Sequence, residues 1–251
     1  MKSPKIENLT VRQQKILAAI IKEYSESANP VGSKELEERY NLKCSSATIR
    51  SEMGELEKGE YIFQPHKSAG RVPTDKGYRF FINQLMHRFE LSEKERKLLR
   101  DELFKLKREH EQLGRSITNL ISQISGQAAF MLMPHEANAT GLSKIIGEPE
   151  LSDSDSTKAV AQLLEHMEDH STELFKQKND RAEIYVGGES PLPVPKNLSL
   201  VVSKVNLKDG KKGIVGILGP KRMSYAKNLS ILEYLSKIIS GSAVILLIIN
   251  L

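Results

Sequence analysis

At 251 residues, with 39% apolar and 27% charged side chains, the chain has a globular composition and enough length to bury cores in two domains. Its one cysteine, Cys44, excludes an intrachain disulfide framework and fits a reducing compartment, the cytoplasm; the opening MKSPKIENLT lacks the apolar stretch of a signal peptide, and the closing AVILLIINL falls far short of the ~20 residues of a membrane span, reading instead as a buried strand or a tail. The net charge of +5 is all N-terminal: up to Arg115 there are 23 Lys and Arg against 18 Asp and Glu, and the remainder balances at 14 each, so a polyanion would be met at that end.

Thr10 and Gln13 form a capping box that starts a helix near Val11, with Ile16, Leu17, Ile20, Ile21 and Tyr24 on one face. Asn29-Pro30 breaks the chain, and Ser33 is expected to cap a short second helix that ends at Asn41. Ser45 and Ser46 can cap a third, with Ile49, Met53 and Leu56 inward and Gly59 as its left-handed stop. Three helices in about 50 residues, the last two joined by a tight turn, follow the helix-turn-helix plan, whose third helix enters the DNA major groove. Helical periodicity turns Ala47 and Ser51 outward, flanked by Thr48 and Arg50. Arg can read guanine, Ser or Thr can bond several bases, and Ala can touch a thymine methyl.

Behind that helix, Tyr61–Phe63 and Arg71–Val72 read as two short strands with Pro65–Gly70 as a hairpin tip, a wing. Lys67 and Arg71 would then lie over a phosphate or in a minor groove, with His66 beside them. Ser68 and the backbone amides of Ala69 and Gly70 are further candidate phosphate donors, and Lys76 and Arg79 extend the basic edge. Alone, a Ser-rich helix start is a cap and a basic loop is a solvated loop; in this order they point to DNA.

GSKELEERYNL, SSATIR, LEKGEYI and QPHKSAGRVPTDKGYR closely resemble the heat-inducible transcription repressors of the HrcA type. GILGPKRMSYAK resembles the same family's C-terminal signature, and TGLSKIIGEPELSD with the Leu163–Leu174 helix resembles the segment before its final strands. The resemblance implies a dimeric repressor on an inverted-repeat operator upstream of chaperone genes, with the chaperonin promoting its active state. It also implies a GAF-like C-terminal domain. The chain departs from the family at Ser51, where Asn is usual, and at Lys67, where Thr is usual. It is shorter than family members, which carry a long stretch between Met133 and Asn138 that includes a domain inserted for dimerisation.

Ser92 and Glu95 open a further helix, on which Leu99, Leu103, Leu106, His110, Leu113, Ile117, Leu120 and Ile124 alternate in steps of four and three. Such a seam pairs two chains or packs on its own domain; the charged flanks leave a narrow stripe that favours a helix pair, and makes these residues, His110 aside, the candidate dimer contacts. EPELSDSDSTK reads as a loop before a helix around Val160–Phe175; Glu183–Val186, Leu198–Val205 and Ile214–Leu218 read as strands, and Ser224–Ile239 as a last helix. Strands with helices on one side predict a small α+β domain. The expected plan is therefore α+β: a winged helix-turn-helix over 1–90, a linker and dimerisation helix over 91–133, and a reduced GAF-like regulatory domain over 134–251.

GIVGILGP lacks the Lys-Ser/Thr end of a phosphate loop and reads as strand and turn. His166 and His170 flank Glu168 in an order unlike a zinc protease, and no nucleophile–base pair is evident, so no enzyme activity, metal or cofactor is expected. The competing reading is a protein–protein adaptor that uses the winged helix and the heptad helix as docking surfaces. A catalytic protein with a regulatory winged helix lacks its constellation.

Overall fold

The computed structural model describes residues 9–106, 113–133, 136–170, 174–175, 182–207 and 211–240. The chain divides into two compact units, Met1–Met86 and His87–Leu251.

In the first unit, helix α1 spans Val11–Ser27. Its capping box is complete: the Gln13 amide donates to Thr10 Oγ1 at 3.2 Å and the Thr10 amide to Gln13 Oε1 at 2.9 Å. Ile16, Leu17, Ile20 and Ile21 are buried, as their spacing predicts. So is Glu23, whose carboxylate accepts from the Arg39 guanidinium and, at 3.2 Å, from the Tyr40 hydroxyl. Burial, with the Glu23 carboxylate beside it, pushes the Tyr40 phenol up to about 12. These bonds tie α1 to helix α2, Ser33–Arg39. The α2 cap is Gly32 and not Ser33, which is buried within the first turn.

Helix α3, Ser46–Lys58, packs Ile49, Met53 and Leu56 inward. Gly59 is not left-handed, its φ being −77°; the reversal falls on Glu60, φ 62°. There the Thr74 hydroxyl donates to the Glu60 carbonyl at 2.6 Å, and the next residue, Tyr61, is delivered into the core. Strands β1, Ile62–Phe63, and β2, Val72–Pro73, pair antiparallel with Phe63 opposite Val72. Helix α4, Asp75–Phe80, follows, capped by Thr74.

The second unit mixes helices with a sheet. Helices α5, Glu93–Leu106, and α6, Leu113–Ser125, stand where one long helix was expected; residues 107–112, His110 among them, lie outside the described residues. Next come strand β3, Ala128–Met133, strand β4, Glu136–Thr140, and helix α7, Leu142–Ile145. Helix α8 runs Ser154–Glu165 with Asp153 as its cap, starting earlier and stopping sooner than the apolar spacing suggested. Strands β5, Glu183–Val186, β6, Leu198–Asn206, and β7, Lys212–Pro220, lead to helix α9, Tyr225–Ile239. The closing apolar residues 241–251 lie outside the described residues.

Among the described residues these strands form a five-stranded antiparallel sheet in the order β4-β3-β7-β6-β5. The reading by strand pattern missed β3 and β4, because AAFMLM is apolar at every position and has no period of two. Both faces of the sheet are covered, not one. Phe130, Leu200, Val202 and Leu218 meet Leu151 and, on α8, Val160 and Leu163. The opposite face meets α6 and α9, where Ser199 Oγ lies 2.8 Å from the Tyr225 hydroxyl. Helix α5 is fastened to α9 through Glu95, which accepts from Ser92 and pairs with Lys227 Nζ at 3.0 Å.

Candidate nucleic-acid interface

Ser45 caps α3, accepting from the Thr48 amide at 3.4 Å, and its Oγ lies 3.1 Å from Thr48 Oγ1. With Ile49, Met53 and Leu56 inward, Ala47, Arg50 and Ser51 are exposed and Ser46 and Thr48 half-buried. The Arg50 side chain makes no ion pair or hydrogen bond among the described residues.

The hairpin tip is bonded to itself. Gln64 Nε2 donates to the Lys67 carbonyl at 3.1 Å and the Ala69 carbonyl at 2.8 Å. The Ala69 amide donates to the His66 carbonyl at 2.8 Å, so it is a turn bond and not an open donor for an anion. His66 Nδ1 lies 3.2 Å from Ser68 Oγ. Lys67, His66 and Ser68 remain exposed.

Arg71 is placed differently. Its guanidinium Nη2 is 2.8 Å from Glu57 Oε2, and its side chain is 18% exposed. Glu57 Oε1 also accepts the Gln64 amide at 3.0 Å, so one carboxylate on α3 holds both edges of the hairpin. The Arg71 backbone exchanges two bonds with Val31, 2.8 and 2.9 Å, and a side chain at Gly70 would put its Cβ 2.4 Å from the Val31 carbonyl. Lys76 is also engaged: Nζ donates to the Gly59 carbonyl at 2.6 Å and lies 4.5 Å from the Tyr61 ring centroid. Arg79 is partly exposed on α4.

The result is a cleft of about 390 Å³ between α3 and the hairpin, lined by Arg50, Met53, Gln64, Lys67, Ser68 and Arg71. It offers cations and the Ser68 hydroxyl, groups that hold phosphate oxygens. Glu57, Gln64 and Val31 were missing from the sequence reading, and Gly70 entered it only as the end of the hairpin tip and a backbone phosphate donor. Only the glycine of a tight tip hinted at these contacts, which join residues 7 to 40 apart.

The heptad residues whose burial the structure describes are not an exposed stripe. Leu99, Leu103, Ile117 and Leu120 are at most 5% exposed, covered by their own unit, and Ile124 is half-buried. Leu106 and Leu113 stand at the facing ends of α5 and α6. Cys44 is half-buried and unbonded. Among the described residues no three His, Cys, Asp or Glu gather as a metal site, and no helix is long and apolar enough to cross a membrane.

A family model described as the HrcA protein C terminal domain matches residues 76–229. A heat-inducible transcription repressor HrcA of Pelotomaculum thermopropionicum is 44% identical over 123 residues, 49% of this chain and 35% of that protein, so the match spans about a third of that relative's length. The one of Halalkalibacterium halodurans is 24% identical over an alignment of 330 residues that covers 91% of this chain and 96% of that protein. That alignment is longer than the chain, so the relative carries segments that have no counterpart here. A hypothetical protein with a crystal structure at 2.2 Å resolution shares the fold, with a TM-score of 0.69 at 20% identity over 92% of this chain and 96% of that one.

Proposed function

Because the chain belongs to the HrcA family, we propose that it is a transcriptional repressor of heat-shock genes that binds duplex DNA through its first unit. In this reading the first unit is a winged helix-turn-helix, with α3 as recognition helix and the hairpin as wing. The observation that carries it is the exposed Ala47–Arg50–Ser51 face standing across a cationic cleft from Lys67. Arg50 and Ser51 address base edges; Lys67, Ser68 and His66 address phosphate. Two copies bind an inverted repeat, with recognition helices about 34 Å or a multiple apart. The second unit is a reduced GAF-like regulatory domain and the part on which a chaperonin would act. The chain performs no catalysis, and its place is the cytoplasm with the DNA.

Selection of bound sites from a random duplex pool, followed by gel shifts across salt, tests this. An inverted repeat should be enriched, and log affinity should fall linearly with log salt. A protein–protein adaptor would enrich no sequence and show no salt-sensitive preference for one.

A further inference from the structure

A helix about 10–12 Å across that enters a groove about 12 Å wide has a phosphate row on each side. The hairpin serves one flank of α3. On the other flank lies a second cleft, of about 600 Å³, between the start of α1, the turn from α2 to α3, and Glu52. Arg50 lines the hairpin-side cleft and Glu52 this one; two positions apart on a helix they point nearly opposite ways, with Ser51 between them. The outward stripe of α3 is thus bounded by a cleft on either side.

The second cleft is cationic. Arg12, Lys15 and Lys43 line it against one carboxylate, Glu52. Arg12 Nη1 is 3.3 Å from Glu52 Oε1, so that carboxylate offsets one of the three cations and two remain uncancelled. Lys15 and Lys43 are exposed and have no ion pair among the described residues. The first turn of α1 holds no acidic residue, so its positive helix end adds to the same field.

We propose that this cleft is a second DNA-backbone contact, in which Lys15, Lys43 and Arg12 hold phosphodiesters on the side of the groove away from the wing. This inference rests on the DNA-binding reading above. Arg12 would turn from Glu52 to a phosphate, which leaves Glu52 beside the groove edge as a hydrogen-bond acceptor.

The test is Lys15→Gln with Lys43→Gln in the full chain, beside a charge-matched control, Lys158→Gln with Lys196→Gln, on the second unit. Gln at 43 keeps a side chain on a residue whose φ is 53°, so the backbone there is not loosened as it would be by Gly. Gel shifts on the selected operator and on random duplex, across salt, are the readout. The cleft variant should bind both DNAs more weakly by the same factor, and its log–log salt slope should shallow by about 1.8, about 0.9 per lost contact. The control should keep the parent slope. An unchanged slope in the cleft variant, with the parent still preferring its operator, overturns this proposal alone. A parent with no operator preference removes the DNA-binding reading and this proposal with it. Inorganic phosphate that raises the melting midpoint of the DNA-free parent but not of the cleft variant would mark a free-anion site, and would also overturn it.

Discussion

At the scale of single residues, Arg71 separates a reading by composition from a reading by geometry. A basic residue at the base of a wing looks like a phosphate contact. Here Glu57 of α3 holds its guanidinium at 2.8 Å, which makes it a strut between helix and hairpin. Arg71→Ala should therefore destabilise the first unit by about 1–3 kcal/mol, the range for a hydrogen bond to a charged group. It should leave the salt slope of DNA binding close to the parent value, whereas Lys67→Ala should shallow it by about one. The charge-swapped pair Glu57→Arg with Arg71→Glu should recover most of the melting midpoint. A full unit of slope lost in Arg71→Ala would make it a phosphate contact after all. The exposure of Ala47, Arg50 and Ser51 was legible because helical period alone fixes which face is buried. The partner of Arg71 was not, because the contact exists only once the hairpin has folded back onto α3.

At the scale of elements, capping signals placed helix starts well, at Thr10, Ser45 and Ser92, because each bond they make is local. Periodicity found the apolar stripe of α5 and α6 but could not name what covers it: a partner helix and the chain's own sheet both select Leu and Ile at the same spacing. The structure gives the second answer for α6, which packs on β3 and β4, and sets α5 against α6. Ile117 is fully buried, so Ile117→Lys should lower the melting of the second unit sharply or prevent its folding, with the first unit's transition unmoved. A variant with parent melting but half the sedimenting mass would instead make the seam an interface between copies. The Ser92 hydroxyl and amide, then Lys227, hold Glu95 well below the usual 4.5, at about 2. A carboxyl whose pKa is lowered on folding contributes stability that is complete above its unfolded value and is lost as pH falls through its folded one. Glu95→Gln should therefore melt below the parent at pH 7, and the gap should close between about pH 4.5 and 2. A gap constant with pH would assign the effect to packing rather than charge.

At the scale of the whole molecule, the chain divides into two compact units, and the change from helix to strand signals along the sequence runs the same way. The order of the sheet was not legible: β3 pairs with β7, some 80 residues downstream, and no local pattern carries a pairing across that distance. A relative carries segments that have no counterpart here, so any joining of two copies falls to the residues this chain has. If the second unit still joins them, residues 1–86 alone should fold, remain monomeric and bind the operator at least about 10²-fold more weakly than the full chain, since the second contact is no longer intramolecular. Equal affinity for fragment and chain would show that the second unit adds nothing to the grip on DNA.

The two backbone bonds between Val31 and Arg71 bear on how the first unit opens. A two-residue ladder such as β1–β2 would by itself fray in water, and its amides would trade their protons for deuterium within moments. Bonded across to the segment between α1 and α2, the Arg71 amide is released only when helices and hairpin part together. It should exchange about as slowly as the Ile49 amide inside α3, which makes hairpin and helices one cooperative body. The first unit would then hold one shape until heating removed it in a single step, rather than by loosening the hairpin first.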